Sequence, residues 1–71
     1  MTSTTVLERY RREMDLTQAE LAERADTTQQ SVSQWESRKR VPTLGSLKRL
    51  ATVLGCTLDE LAGDYEEGGK R

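Results

Sequence analysis

Gln29, Gln30, Ser33 and Gln34 carry the most specific chemistry in this sequence. On a helix of 3.6 residues per turn they share one side with Ser37, while Val32 and Trp35 fall on the other. A glutamine amide presents a carbonyl acceptor and an NH2 donor in one plane, which matches the N7 acceptor and N6 donor of adenine in the major groove of DNA. Three such side chains on one short exposed face suit the reading of base edges. Taken without context, the same residues serve equally as a solvated helix surface. Catalysis has no comparable set: the 71 residues hold no histidine and one cysteine, and no carboxylate pair stands at a site-like spacing. That composition also excludes a disulfide framework and a Cys/His zinc centre. Neither a cofactor nor a metal is expected, and the chain does not read as an enzyme.

Two short helices joined by a tight turn, over Gln18 to Glu36, must position those residues. Thr17 followed by Glu20 is a capping box, so a helix starts near Gln18 and turns Leu21, Ala22 and Ala25 to one side. Asp26, Thr27 and Thr28 interrupt the pattern, and Thr28 caps the next helix, from Gln29 to about Ser37. Upstream, Val6, Leu7, Tyr10 and Met14 recur at helical spacing, which predicts a first helix from Thr5 to Glu13 or Met14 with Tyr10 in the core. Downstream, Pro42 holds Val41 extended and Thr43 caps a helix beginning at Leu44. Leu44, Leu47, Leu50, Ala51 and Leu54 form its apolar core stripe, and Gly55 closes it. Thr57 and Glu60 make a second capping box for a last short helix with Leu58 and Leu61, ended by Gly63. Trp35 reads as core with one edge exposed, and Cys56 as a small buried hydrophobe. Residues 1–4 are expected to fray, and the tail DYEEGGKR, residues 64–71, has too little apolar content to pack.

The segments LTQAELAERA, TTQQSVSQWES and VPTLGSLKRLATVLGCTLDEL agree in order and spacing with one family. They resemble the Cro and phage-repressor-like helix-turn-helix family, with its lambda-repressor-like fold, from about residue 5 to residue 62. The resemblance implies an all-α, compact five-helix domain over residues 5–63, with helices two and three as the helix-turn-helix and helix three entering the major groove. It implies a sequence-specific transcriptional regulator, a repressor that binds a palindromic operator of double-stranded DNA as a homodimer. Gln29, Gln30, Ser33 and Gln34 would then touch bases. Gln18 at the first turn of helix two, with Thr28, Ser37, Arg38, Lys39 and Arg40, would fix the phosphate backbone. Arg11 occupies the position of an arginine that in the family pairs with the glutamate here numbered Glu36, bracing helix one against helix three. Related proteins pair through the last helix and the loop before it, which makes Cys56, Thr57, Leu58 and Leu61 the dimer candidates. Where the family commonly has glycine at three turns, this chain has Asp15, Asp26 and Arg38. Aspartate tolerates a left-handed backbone at modest cost. Arg38 either departs from the family's backbone or bears strain.

Length and charge bound the rest. Seventy-one residues make one domain, small enough to bury only roughly 60% of its unfolded surface. Residues 1–42 hold seven Lys/Arg and seven Asp/Glu, and residues 43–71 hold four and five, so the net charge of −1 is spread thinly. With a pI near 5.4, the whole-molecule field attracts DNA weakly. The cluster Arg38, Lys39, Arg40 must supply attraction locally, and selectivity must rest on base contacts. No apolar run exceeds two residues, which removes a membrane partner and a signal-peptide core and fits a cytoplasmic protein. No small-molecule substrate is implied. Two other classes use the same fold: an antitoxin-type protein-interaction module, and the DNA-binding part of a longer repressor.

Overall fold

A computed structural model describes residues 4–65, which form five α-helices and a closing 3-10 turn. The helices are α1 (Val6–Glu13), α2 (Gln18–Arg24), α3 (Gln29–Glu36), α4 (Leu44–Leu54) and α5 (Leu58–Ala62), followed by the turn Gly63–Tyr65. There is no strand among the described residues. The fold is therefore the all-α, five-helix arrangement expected of a lambda-repressor-like domain.

Every helix begins on a threonine. Thr5, Thr17, Thr28, Thr43 and Thr57 sit in extended backbone, and each hydroxyl accepts the N–H three residues on, from Glu8, Glu20, Ser31, Ser46 and Glu60. A β-branched residue favours that extended conformation while its oxygen satisfies an orphan helical donor, so start and cap come from one residue. At Thr17 and Thr57 the glutamate carboxylate returns the bond to the threonine N–H, at 2.8 and 3.0 Å, completing both capping boxes. Those bonds hold the Glu20 and Glu60 carboxyls below their ordinary range.

Four helices also end alike, each with one residue in the left-handed region: Asp15 at φ 58°, Asp26 at 57°, Arg38 at 63° and Gly55 at 69°. At the first three the following N–H reaches back to the third-last helical carbonyl: Leu16 to Arg11, Thr27 to Ala22, Lys39 to Gln34. This is the Schellman ending, and only α4 fills its left-handed position with glycine. Arg38 thus keeps the turn's usual backbone and bears the strain; it does not depart from it.

Leu7, Leu21, Val32, Leu50 and Leu61 are the fully buried centre, with Leu16, Ala22, Ala25, Trp35, Leu47, Ala51 and Leu54 packed around them. Each buried aliphatic side chain of this size contributes about 1.5–3 kcal/mol against exposure. Polar ties join the elements. Tyr10 donates its hydroxyl to Glu60 at 3.0 Å, linking α1 to α5, and Arg49 Nε donates to the Ala25 carbonyl at 2.8 Å, closing the end of α2.

Several residues lie elsewhere than their spacing suggested. Leu44 is 59% exposed, because the stripe of α4 begins one turn before the core that covers it. Met14 is 41% exposed, since it is the C-cap of α1, where the backbone has already left the helical face. Leu61 is fully buried within its own chain and offers no surface to a partner, so of the four dimer candidates only Cys56, Thr57 and Leu58 reach the outside. Asp64 and Tyr65, assigned to a tail that does not pack, form the closing turn and are tied into the fold. Tyr65 donates its hydroxyl to the Trp35 carbonyl at 2.8 Å, and Asp64 accepts the Val6 N–H at 2.7 Å. Thr4 is exposed. The rest of the expected frayed end and tail, residues 1–3 and 66–71, lie outside the described residues.

Candidate nucleic-acid interface

The exposed side of α3 is polar but uncharged. From Thr27 to Trp35 nine residues pass without an ionisable group, in a chain that is 32% charged. A carboxylate there would repel phosphate, and a lysine would bind it anywhere along the duplex. Amide and hydroxyl dipoles do neither, and they match the donors and acceptors on base edges. Val32 and Trp35, on the opposite side, are buried and fix which way α3 faces. The hydroxyl of Thr28 accepts the Ser31 N–H at 3.1 Å and donates to Ser31 Oγ at 3.0 Å, which fixes where the helix starts.

Gln18, Gln29, Gln30, Ser33, Gln34, Ser37 and Lys39 line one open concavity of about 570 Å³. Lys39 is its one charged lining residue. Seven of the ten residues expected to touch DNA are thus brought to one surface. Thr28, Arg38 and Arg40 are exposed but lie outside that lining. Ser37 Oγ donates to the Gln34 carbonyl at 3.2 Å, and that carbonyl also receives the Lys39 and Arg40 N–H groups at 2.9 and 3.3 Å. The loop after α3 is therefore wound tightly onto the last turn of the helix. Arg38 Nη2 stands 3.7 Å from Asp64 Oδ1.

Gln18 ties the concavity to a largely buried anchor. Glu36 accepts from Arg11 Nε at 2.6 Å, from Arg11 Nη2 at 3.1 Å and from Gln18 Nε2 at 2.9 Å. Arg11 Nη1 donates in turn to the Leu16 carbonyl at 2.7 Å. The pair spans the first and third helices as the family position of Arg11 implied, and it is bidentate with side-chain exposures of 11% and 5%. The hydrogen bond to Glu36 raises the Arg11 guanidinium above its already high ordinary value, against an opposing pull from burial. Gln18 uses one amide N–H internally, so its side chain is aimed before any ligand arrives. The family resemblance implied only a phosphate role for Gln18; its bond to Glu36, eighteen residues away on another helix, leaves no local signal in the sequence.

Residues 7–61 match the helix-turn-helix family model. The chain belongs to the Cro and phage-repressor-like helix-turn-helix family and is a DNA-binding domain of that type. It is 37% identical over 60 residues, 84% of this chain, to the HTH-type transcriptional activator BcrR of Enterococcus faecalis. The match covers 29% of BcrR, so the chain spans under a third of that relative's length. No solved structure matches the chain significantly.

Proposed function

We propose that this domain regulates transcription by laying α3 in the major groove of an operator, with Gln29, Gln30, Ser33 and Gln34 against base edges. The observation that carries this reading is the glutamine-lined concavity, with one cation in its lining and with Gln18 tied to the Arg11–Glu36 ion pair. In this reading Gln18, Thr28, Ser37, Arg38, Lys39 and Arg40 fix the backbone. Adenine is preferred at one position or more, because the glutamine amide pairs with its N6 and N7. One such domain reads too few base pairs to single out a site, so two copies bind a palindrome with half-sites about one turn (~34 Å) apart. Cys56, Thr57 and Leu58 are the surface through which the copies meet. With DNA as partner, the protein works in the cytoplasm.

The regulatory sign proposed is repression, because a domain seated on an operator blocks access to it. Activation is the second reading, favoured by the description of BcrR as an activator. Selection of bound duplexes from a random pool at about 0.15 M salt tests the reading, since at that ionic strength unspecific phosphate attraction is already screened. An enriched palindrome with adenine in each half-site is the expected result. Folded protein that enriches nothing overturns it and favours the protein-interaction module. A reporter placed behind the enriched site then separates repression from activation.

A further inference from the structure

The left-handed arginine after α3 is the least comfortable residue of the fold. Arg38 has a Cβ where glycine is preferred, and its φ of 63° brings that carbon against the backbone. The same residue begins the cation run that follows the concavity. Left to itself, such a turn relieves strain by unwinding, and the N–H groups of Lys39 and Arg40 then leave the Gln34 carbonyl. The directions of Lys39 and Arg40 change with it.

Two residues from the far end of the chain grip this turn. The Trp35 carbonyl receives both the Arg38 N–H, at 3.2 Å, and the Tyr65 hydroxyl, at 2.8 Å. Asp64 Oδ1 stands as an ion-pair partner 3.7 Å from Arg38 Nη2. Asp64 is itself held, because its Oδ2 accepts the Val6 and Leu7 N–H groups at 2.7 and 3.4 Å, at the positive end of α1. Its side chain is only 8% exposed, against 40% for Arg38. Burial raises the Tyr65 phenol above its ordinary range, so it stays a donor across the pH range of DNA binding. The closing turn, far downstream in the chain, thus meets both the backbone bond and the side-chain charge of one strained residue.

We infer that Asp64 and Tyr65 are positioning residues for DNA recognition: they clamp the Arg38 turn so that Arg38, Lys39 and Arg40 meet the phosphate backbone already oriented. The inference rests on the DNA-binding reading above. It differs from a merely stabilising role, because the clamp acts on the phosphate-binding loop and leaves the base-reading side chains of α3 alone.

The test uses the whole 71-residue chain, its selected duplex, and the variants Tyr65→Phe and Asp64→Asn. Phenylalanine keeps the ring and removes only the hydroxyl; asparagine keeps an acceptor for the α1 amides and removes the charge. Each variant should remain cooperatively folded, with base preference at every position unchanged. Affinity should fall about tenfold for all sequences, and the salt slope should flatten by about one unit, as it does when one fewer phosphate is neutralised. The chain's single tryptophan should report the change in the free protein through a shift of the Trp35 carbonyl resonance in Tyr65→Phe. Arg38→Gly supplies a further arm: once the strain is gone, adding Tyr65→Phe should cost almost no additional affinity. Folded variants that match the wild type in affinity and salt slope overturn the clamp while leaving DNA binding in place. Tighter binding by Asp64→Asn also overturns it and makes the carboxylate a competitor for Arg38. A wild-type chain that enriches no duplex overturns both readings.

Discussion

Replacing Glu36 with alanine removes the acceptor on which three donors converge and leaves a guanidinium buried without its charge partner. The loss of one member of a buried pair costs about 3–5 kcal/mol, most of it the desolvation of the charge left behind. The total stability it draws on is small: at about 0.05–0.15 kcal/mol per residue, a chain of 71 residues has about 4–11 kcal/mol in total. At about 4–8 °C per kcal/mol for a domain of this size, Glu36→Ala should lower the melting temperature by about 12–40 °C. Thermal denaturation followed by far-ultraviolet circular dichroism measures it. The companion double variant Arg11→Met, Glu36→Leu removes both charges and fills the space with apolar groups, which spares the desolvation cost. It should recover most of the loss, with Gln18 turning to water. A fall of under about 5 °C in the single variant would show that the site admits water and that the pair is worth no more than a surface bridge. A double variant as unstable as the single one would refute the assignment of the loss to the stranded arginine.

The other expectations concern separate parts of the molecule. Gln30→Ala should relax base preference at one operator position by about 1–3 kcal/mol, read by competition among single-base variants of the site; uniform weakening would make Gln30 a positioning residue. Lys39→Ala should weaken all duplexes alike and flatten the salt slope by about one unit, and a change confined to certain bases would contradict its backbone role. Gly55→Ala should cost about 1–2 kcal/mol in chemical denaturation even though the space around it is open, because the penalty lies in its φ of 69°. The Glu20 and Glu60 carboxyls are depressed in the folded state, so their stabilisation is complete above the ordinary value of 4.5 and is lost as pH falls through the folded value. The urea midpoint should therefore drop below about pH 4.5, and less so in Glu20→Gln, Glu60→Gln, whose amides keep the capping bonds without titrating. An equal drop in that variant would place the acid sensitivity elsewhere.

The helix starts were legible because each is written locally. Thr17 and Glu20, or Thr57 and Glu60, lie within one turn, and the cap needs nothing from the rest of the chain. Gly55 was legible as a helix end for the same reason, whereas the left-handed positions of Asp15, Asp26 and Arg38 came from the family resemblance, and only the folded chain decides that Arg38 takes the strained backbone. Burial was legible where the helix is covered along its length, as for Leu47, Leu50 and Leu54. It failed at Leu44 and Met14, where spacing continues but the covering helices or the helix itself stop. Least legible were bonds between distant parts of the chain. Nothing near Asp64 announces that its carboxylate will meet Val6, and a tail short of apolar residues can still be held by one aspartate and one tyrosine. In the candidate interface, the side chains of α3 could be named from their helical phase, while the internal bond of Gln18 to Glu36 depends on how α2 crosses α3.

The uncharged stretch from Thr27 to Trp35 also fixes what this domain does not sense. The chain contains no histidine, the side chain whose ordinary titration falls between about pH 5 and pH 8, and burial pushes its one thiol upward, away from that interval. If they face base edges as proposed, hydrogen-bonding groups that neither gain nor lose a proton present the same pattern throughout that interval. In the proposed binding mode, proton concentration in that interval is therefore not a signal that this surface reads.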